Sequence, residues 1–176
     1  MIYDKNASFI FPSWTCSLFI LLASLFVNRI NASDYRLVNR LSGYWKFSVG
    51  DDMRWADPNY NDENWDKIYV PSDWERNGYD GYNGYAWYRK TFRYDGSLND
   101  EQLVLMLGKI DDTDEVYVNG IKIGATGEFT SELNKRMPTE NRYQALRGYY
   151  LSSSILKIGR MNTIAVRVYD SGGGGG

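Results

Sequence analysis

The sequence of 176 residues contains no histidine, and its only cysteine is Cys16. Without histidine, no Ser-His-Asp or Cys-His site can be assembled from this chain. A zinc site of the usual Cys/His type is excluded for the same reason, and a lone cysteine leaves no intrachain disulfide framework. Charge of one sign is also lacking. Twenty basic residues against 22 acidic ones give a net charge of -2, which argues against nucleic acid as a partner, since neutralising phosphates requires a basic face. Chemistry on this chain would have to rest on carboxylates, Lys, Tyr or a hard cation held by oxygen.

Long apolar runs are absent apart from one, Leu18 to Val27 (LFILLASLFV). It is preceded by Lys5, offset by Asp4, and followed by Asn-Arg-Ile-Asn-Ala. A short apolar stretch ending at a small residue matches an export signal over residues 1–32, with cleavage near Ala32. The run falls short of the roughly 20 residues needed to span a bilayer. The expectation is therefore a periplasmic or secreted chain with no stable membrane span after cleavage. An uncleaved anchor over Phe9–Val27 is the alternative. Cleavage would also remove Cys16, leaving a chain with neither Cys nor His.

Helical periodicity is scarce, and one short turn over Ser152–Lys157 is the main candidate. From Ser42 onward the pattern is of short alternating runs separated by Gly, Asn, Asp and Pro, the signature of an all-β domain. Tyr44–Val49 alternates and places Trp45, Phe47 and Val49 on one face. Lys67–Val70, Tyr85–Tyr94 and Thr163–Tyr169 read as further strands. Leu103–Leu107 reads as a strand at a sheet centre or buried on both faces. Glu115–Val118 and Ile121–Gly124 flank Asn119-Gly120, whose two residues suit the positive φ angles of a type I′ hairpin turn. Seven or eight strands at this spacing predict a β-sandwich or jelly roll.

What the chain has in abundance is aromatic side chains, 16% of the residues, including 15 Tyr. Five of six Trp lie between positions 45 and 87. Trp45, Trp65, Trp74 and Trp87 read as core. Sugars stack their C–H faces on aromatic rings and need polar groups at their edges. The stretch Trp74–Tyr85 offers both kinds of group, which makes Tyr79, Tyr82, Tyr85 and Asn83 the candidate substrate-binding residues, with the Tyr rings expected to be exposed.

Acidic residues cluster at Asp51-Asp52, Asp57–Glu63 and Asp111–Asp114. Paired carboxylates can act as acid and base or hold calcium. An EF-hand beginning at Asp57 fails, because its sixth position would be Asp62 and its twelfth Ile68. Asp111–Asp114 precedes the hairpin, where Asp commonly stabilises a turn. No cofactor is expected, and a structural calcium is left open without support from spacing.

Seven pieces in order carry a family resemblance: Leu41-Ser42-Gly43-Tyr44-Trp45-Lys46-Phe47; Asn61–Ile68; Val70-Pro71-Ser72-Asp73-Trp74-Glu75 with Gly78; Ala86-Trp87-Tyr88-Arg89-Lys90-Thr91-Phe92; Leu105–Asp112; Asp114-Glu115-Val116-Tyr117-Val118-Asn119-Gly120 with Gly124; and Leu156–Asp170. Together they resemble the N-terminal sugar-binding domain of family 2 glycoside hydrolases, the β-galactosidase and β-glucuronidase group. They are also similar to the jelly-roll module of bacterial sialate O-acetylesterases. The resemblance spans about residues 40–176.

It implies a galactose-binding-domain-like jelly roll over 33–170 that binds carbohydrate and carries no catalytic residue. It further implies a catalytic domain elsewhere in the same polypeptide, so that the Gly-rich segment 171–176 would be a loop at which the chain is cut. In the β-galactosidase branch the Asp before this loop reaches toward the active site, and Asp170 is the matching position. Its other reading is a strand-end residue capping the glycine turn. An esterase module and a protein-interaction sandwich are the alternative functions, and a self-contained hydrolase using Asp111, Asp112, Asp114 or Asp170 is the least favoured.

Overall fold

A computed structural model describes residues 1–5, 35–96, 103–127 and 143–176. These residues form ten strands: β1 (Ile2–Lys5), β2 (Tyr35–Asn39), β3 (Gly43–Val49), β4 (Asp66–Val70), β5 (Gly84–Tyr94), β6 (Leu103–Lys109), β7 (Thr113–Val118), β8 (Ile121–Thr126), β9 (Leu146–Leu151) and β10 (Arg160–Asp170). They make two antiparallel sheets, one ordered β2-β1-β6-β9 and the other β4-β3-β5-β10-β7-β8. This is the all-β sandwich expected. Short 3₁₀ turns at Met53–Ala56, Trp74–Asn77 and Ser153–Ile155 are the helical elements among the described residues.

The period-two pattern puts one face of each sheet into the sandwich interior. Trp45 and Phe47 from β3, Ala86 and Tyr88 from β5, and Ile164, Val166 and Val168 from β10 meet Leu103 and Leu105 from β6 and Leu151 from β9. Val49, expected on the same inward face, is instead 37% exposed at the last position of β3. Leu103–Lys109 is a sheet-centre strand, but only Leu103 and Leu105 are fully buried. Its other face is half-covered.

The outer face of the larger sheet carries a second apolar cluster. Trp87, Tyr117 and Ala165 are covered by Ala56, Trp55 and Trp65 from the loop after β3. Arg89 is buried within this cover, 2% exposed. It donates Nε–H to Asp62 Oδ2 at 2.7 Å and NH1 hydrogens to the carbonyls of Trp55 and Asp57. Thus Trp45, Trp74 and Trp87 are core, whereas Trp65 is half-buried over the outer face.

The Asn119-Gly120 turn has φ of 51° and 83°, as a type I′ hairpin requires. The Asn119 side chain adds more than turn geometry. Its Nδ2 donates to the Ile155 carbonyl and to Asn162 Oδ1, and its Oδ1 accepts the Thr163 N–H.

Of the segment 1–32 read as an export signal, residues 6–32 lie outside the described residues. Ile2–Lys5 lie in the smaller sheet, between β2 and β6. No helix among the described residues is long and apolar enough to cross a membrane.

Candidate functional site

The candidate residues converge on one end of the larger sheet, where β5 begins and β10 stops. Gly84 pairs with Asp170 there. Three segments meet at this end: the Trp74–Asn83 loop, the Ile110–Asp112 turn and the glycine tail after Asp170.

The tail is held by polar contacts. Gly175 accepts the Trp74 N–H at 2.9 Å and donates its own N–H to Glu75 Oε1 at 2.9 Å. Gly176 accepts the Asp111 N–H at 3.3 Å. Ser171 donates its N–H and Oγ–H to Asp112 Oδ2. Glycine is required at Gly175, since a Cβ there would stand 2.0 Å from Trp74 Cε2.

Asp170 is fully buried, and its Oδ1 accepts the Gly172 N–H at 2.8 Å. This is the turn-capping geometry, and the carboxylate is closed off from solvent. Burial pushes its pKa upward; the Gly172 N–H opposes this, and the charges of Asp112 and Glu75 add to it. Asp111 and Asp112 are joined by a cis peptide bond. Burial, then a side-chain contact with Asp112 and its charge, push Asp111 up to about 7.

The Tyr rings expected to be exposed are half-buried, because each hydroxyl or ring face has a protein partner. Tyr79 packs on Phe47 in the core and donates to Asp66. Tyr82 lies edge-on to Trp74 and donates to the Tyr85 carbonyl at 2.7 Å. Tyr85 lies on the outer face, between Tyr169 and the Arg167 guanidinium. Asn83, between them in sequence, is exposed. Asn83, Tyr82 and Asp170 therefore share the sheet end, while Tyr79 and Tyr85 face away in different directions.

Asp114 does not belong to this group and is not a turn residue. It is an inward-facing β7 residue, fully buried, bonded to Arg147 at 2.8 Å and accepting from Tyr149. The residues not anticipated at the site are Glu75 and Ser171. The Gly-rich loop and tail around them were visible, but not that the two docked on each other.

A larger cavity of about 690 Å³ lies elsewhere, lined by Met1, Tyr3, Leu41, Trp45, Val104 and Met106 among others. Its wall is almost wholly apolar. Among the described residues that line it, there is no convergent set of polar groups of the kind that orients a ligand such as a sugar.

Comparison with known proteins bears on the family and the fold. The profile of the β-galactosidase second all-beta domain matches residues 50–174. A Formosa agariphila protein assigned as a β-glucuronidase is 29% identical over 163 residues, covering 86% of this chain and 14% of its own length. The β-galactosidase BoGH2A of Bacteroides ovatus is 28% identical over 92 residues, covering 46% of this chain and 11% of its own. The chain thus spans about a seventh or less of the curated relatives it matches. Among solved structures, β-glucuronidase 2 of Bacteroides uniformis superposes with a TM-score of 0.60 at 22% identity, over 76% of this chain and 14% of that one. A glycosyl hydrolase family 2 member from Bacteroides cellulosilyticus superposes with a TM-score of 0.61 at 21% identity, over 77% and 19%. At these identities the superpositions show the shared sandwich fold.

Proposed function

We propose, from the premise that this chain belongs to the β-galactosidase second all-beta domain family, that it is a non-catalytic module of a family 2 type glycoside hydrolase. The observation that carries this reading is the match over residues 50–174. The side chains add a reason. Asp112, Asp114 and Asp170 are each buried and engaged by Ser171, Arg147 and Gly172 respectively. None is placed in an open cleft as a glycosidase carboxylate pair must be. The reacting groups would then come from a catalytic domain in the same polypeptide, and the module would present the sheet end bearing Asn83 and the glycine tail toward it.

Carbohydrate is the proposed ligand class, with Asn83 as the accessible polar contact and Tyr82 beside it. The apolar run Leu18–Val27 supports export to the periplasm or beyond. Two measurements test the proposal. The isolated chain should not turn over nitrophenyl glucuronides or galactosides, and turnover lost in Asp→Asn variants would overturn the non-catalytic reading. Titration with glucuronides and galactosides, followed by Trp fluorescence, should report binding through the loop that carries Trp74. No response to either class would leave a packing role alone.

A further inference from the structure

The geometry points to a calcium site at the sheet end, formed by Asp111, Asp112 and Asp170. Each of the three offers one carboxylate oxygen, and these oxygens lie within 4.8 Å of one another. Calcium takes oxygen ligands at 2.3–2.6 Å, so ligands on opposite sides of it stand about 4.6–5.2 Å apart. The spacing therefore suits one ion held between the three side chains.

Clustered acids alone would not make a site. The second observation is Asp170 itself. It is fully buried, its Oδ1 is used by Gly172, and its Oδ2 is buried with no hydrogen-bond partner. A buried carboxylate oxygen without a donor is unfavourable unless a proton or a cation satisfies it. The charged groups acting on Asp170 are Asp112 and Glu75, both acidic. Arg147 acts on Asp111 and reaches the Asp112 carbonyl, but its Nε–H is given to Asp114.

A cation here would join the Ile110–Asp112 turn, the end of β10 and the tail that follows it. Those are the segments already brought together by Ser171 and Gly176. Calcium is favoured over zinc because every ligand is oxygen. Its role would be structural: it would fix the path of the chain as it leaves β10. The site does not depend on whether a sugar binds at Asn83.

Terbium replaces calcium at oxygen sites and luminesces when nearby Trp or Tyr is excited; Trp74 and Tyr88 lie against the same tail. The 176-residue chain, stripped with EDTA, should give a saturable terbium signal that calcium displaces, and calcium should raise its melting temperature. Asp111→Asn, at the half-exposed member, and Asp170→Asn should each weaken calcium binding roughly tenfold or more. The Asp57→Asn variant, in the unrelated acidic loop, should bind as the parent does. Absence of both the terbium signal and the calcium shift in the parent chain overturns the proposal and leaves the carboxyls sharing protons. So does a response that persists undiminished in Asp111→Asn and Asp170→Asn, or a terbium signal that calcium does not displace. Should Asp170→Asn fail to fold, Asp111→Asn and the parent titration decide the matter.

Discussion

Arg147 and Asp114 form an ion pair across the inside of the sandwich, with both side chains fully buried and Nε to Oδ1 at 2.8 Å. Arg147 projects from β9 in one sheet and Asp114 from β7 in the other, so the pair links the two layers. Burial raises the Asp114 pKa even though Arg147 and Tyr149 hydrogen-bond to it. Its NH2 also donates to the Asp112 carbonyl and its NH1 to the Ala145 carbonyl.

Removing one partner of this pair should be far worse than removing both. Arg147→Met leaves an uncompensated buried carboxylate and should cost about 3–5 kcal/mol. The double variant Arg147→Met with Asp114→Leu should recover most of that loss. Urea unfolding of the two single variants and the double variant measures the coupling. Equal and additive losses would show that the pair is not energetically linked.

The glycine tail offers a sharper steric test. Gly175→Ala puts a methyl carbon into the Trp74 ring, whereas a Cβ at Gly174 meets nothing within 4 Å. Gly175→Ala should weaken tail docking by about 1–3 kcal/mol, the usual cost of overpacking, and change Trp emission. Gly174→Ala should leave the emission spectrum unchanged. Matching spectra for both variants would mean the tail does not rest on Trp74.

The hairpin turn separates backbone from side-chain contributions. Asn119→Gly tolerates the positive φ but loses the hydrogen bonds to Ile155, Asn162 and Thr163. Buried partners left unsatisfied should cost about 1–3 kcal/mol. Thermal unfolding checks this, and a neutral result would reduce Asn119 to a turn former.

Acid sensitivity should track Arg167. Burial acts to raise Asp51, but hydrogen bonds from Arg167 and Trp87 and the Arg167 charge outweigh it and hold Asp51 below its usual 3.8. Burial likewise acts to raise Glu115, but Lys122, Tyr117 and Arg167 hold it below 4.5. Groups depressed in the folded state stabilise it above their unfolded pKa, and that stability is lost as pH falls through the folded values. The stability gap between the parent and Arg167→Gln should therefore shrink between about pH 5 and about pH 3. A gap independent of pH would detach these carboxylates from Arg167.

Much of the sandwich was legible from alternation, because β3, β5, β7 and β10 bury apolar residues on alternate positions, while β8, which buries none, was legible from the Asn119-Gly120 turn. Strand β9 was not, because its inward face reads Arg147, Tyr149 and Leu151. An arginine in that register looks like a surface residue until its buried Asp114 is known. Exposure in the Trp74–Tyr85 loop was misjudged for a related reason. The rings of Tyr79 and Tyr82 have long-range or core partners in Asp66, Phe47 and Trp74. Asp170 was named with Asp111, Asp112 and Asp114 as a candidate carboxylate, but which of them it meets was not legible, since some 60 residues separate them and the meeting follows from the β10–β7 pairing.

The order of strands in the larger sheet has a bearing on how the protein is made. β10, which ends at Asp170, is inserted between β5 and β7. Until it emerges during synthesis, β4-β3-β5 and β7-β8 are two separate ribbons, each with an unpaired edge along its longest exposed strand. Those edges are templates for pairing with other chains. A nascent chain halted before residue 160 would thus expose two strand edges that β10 covers once it is in place.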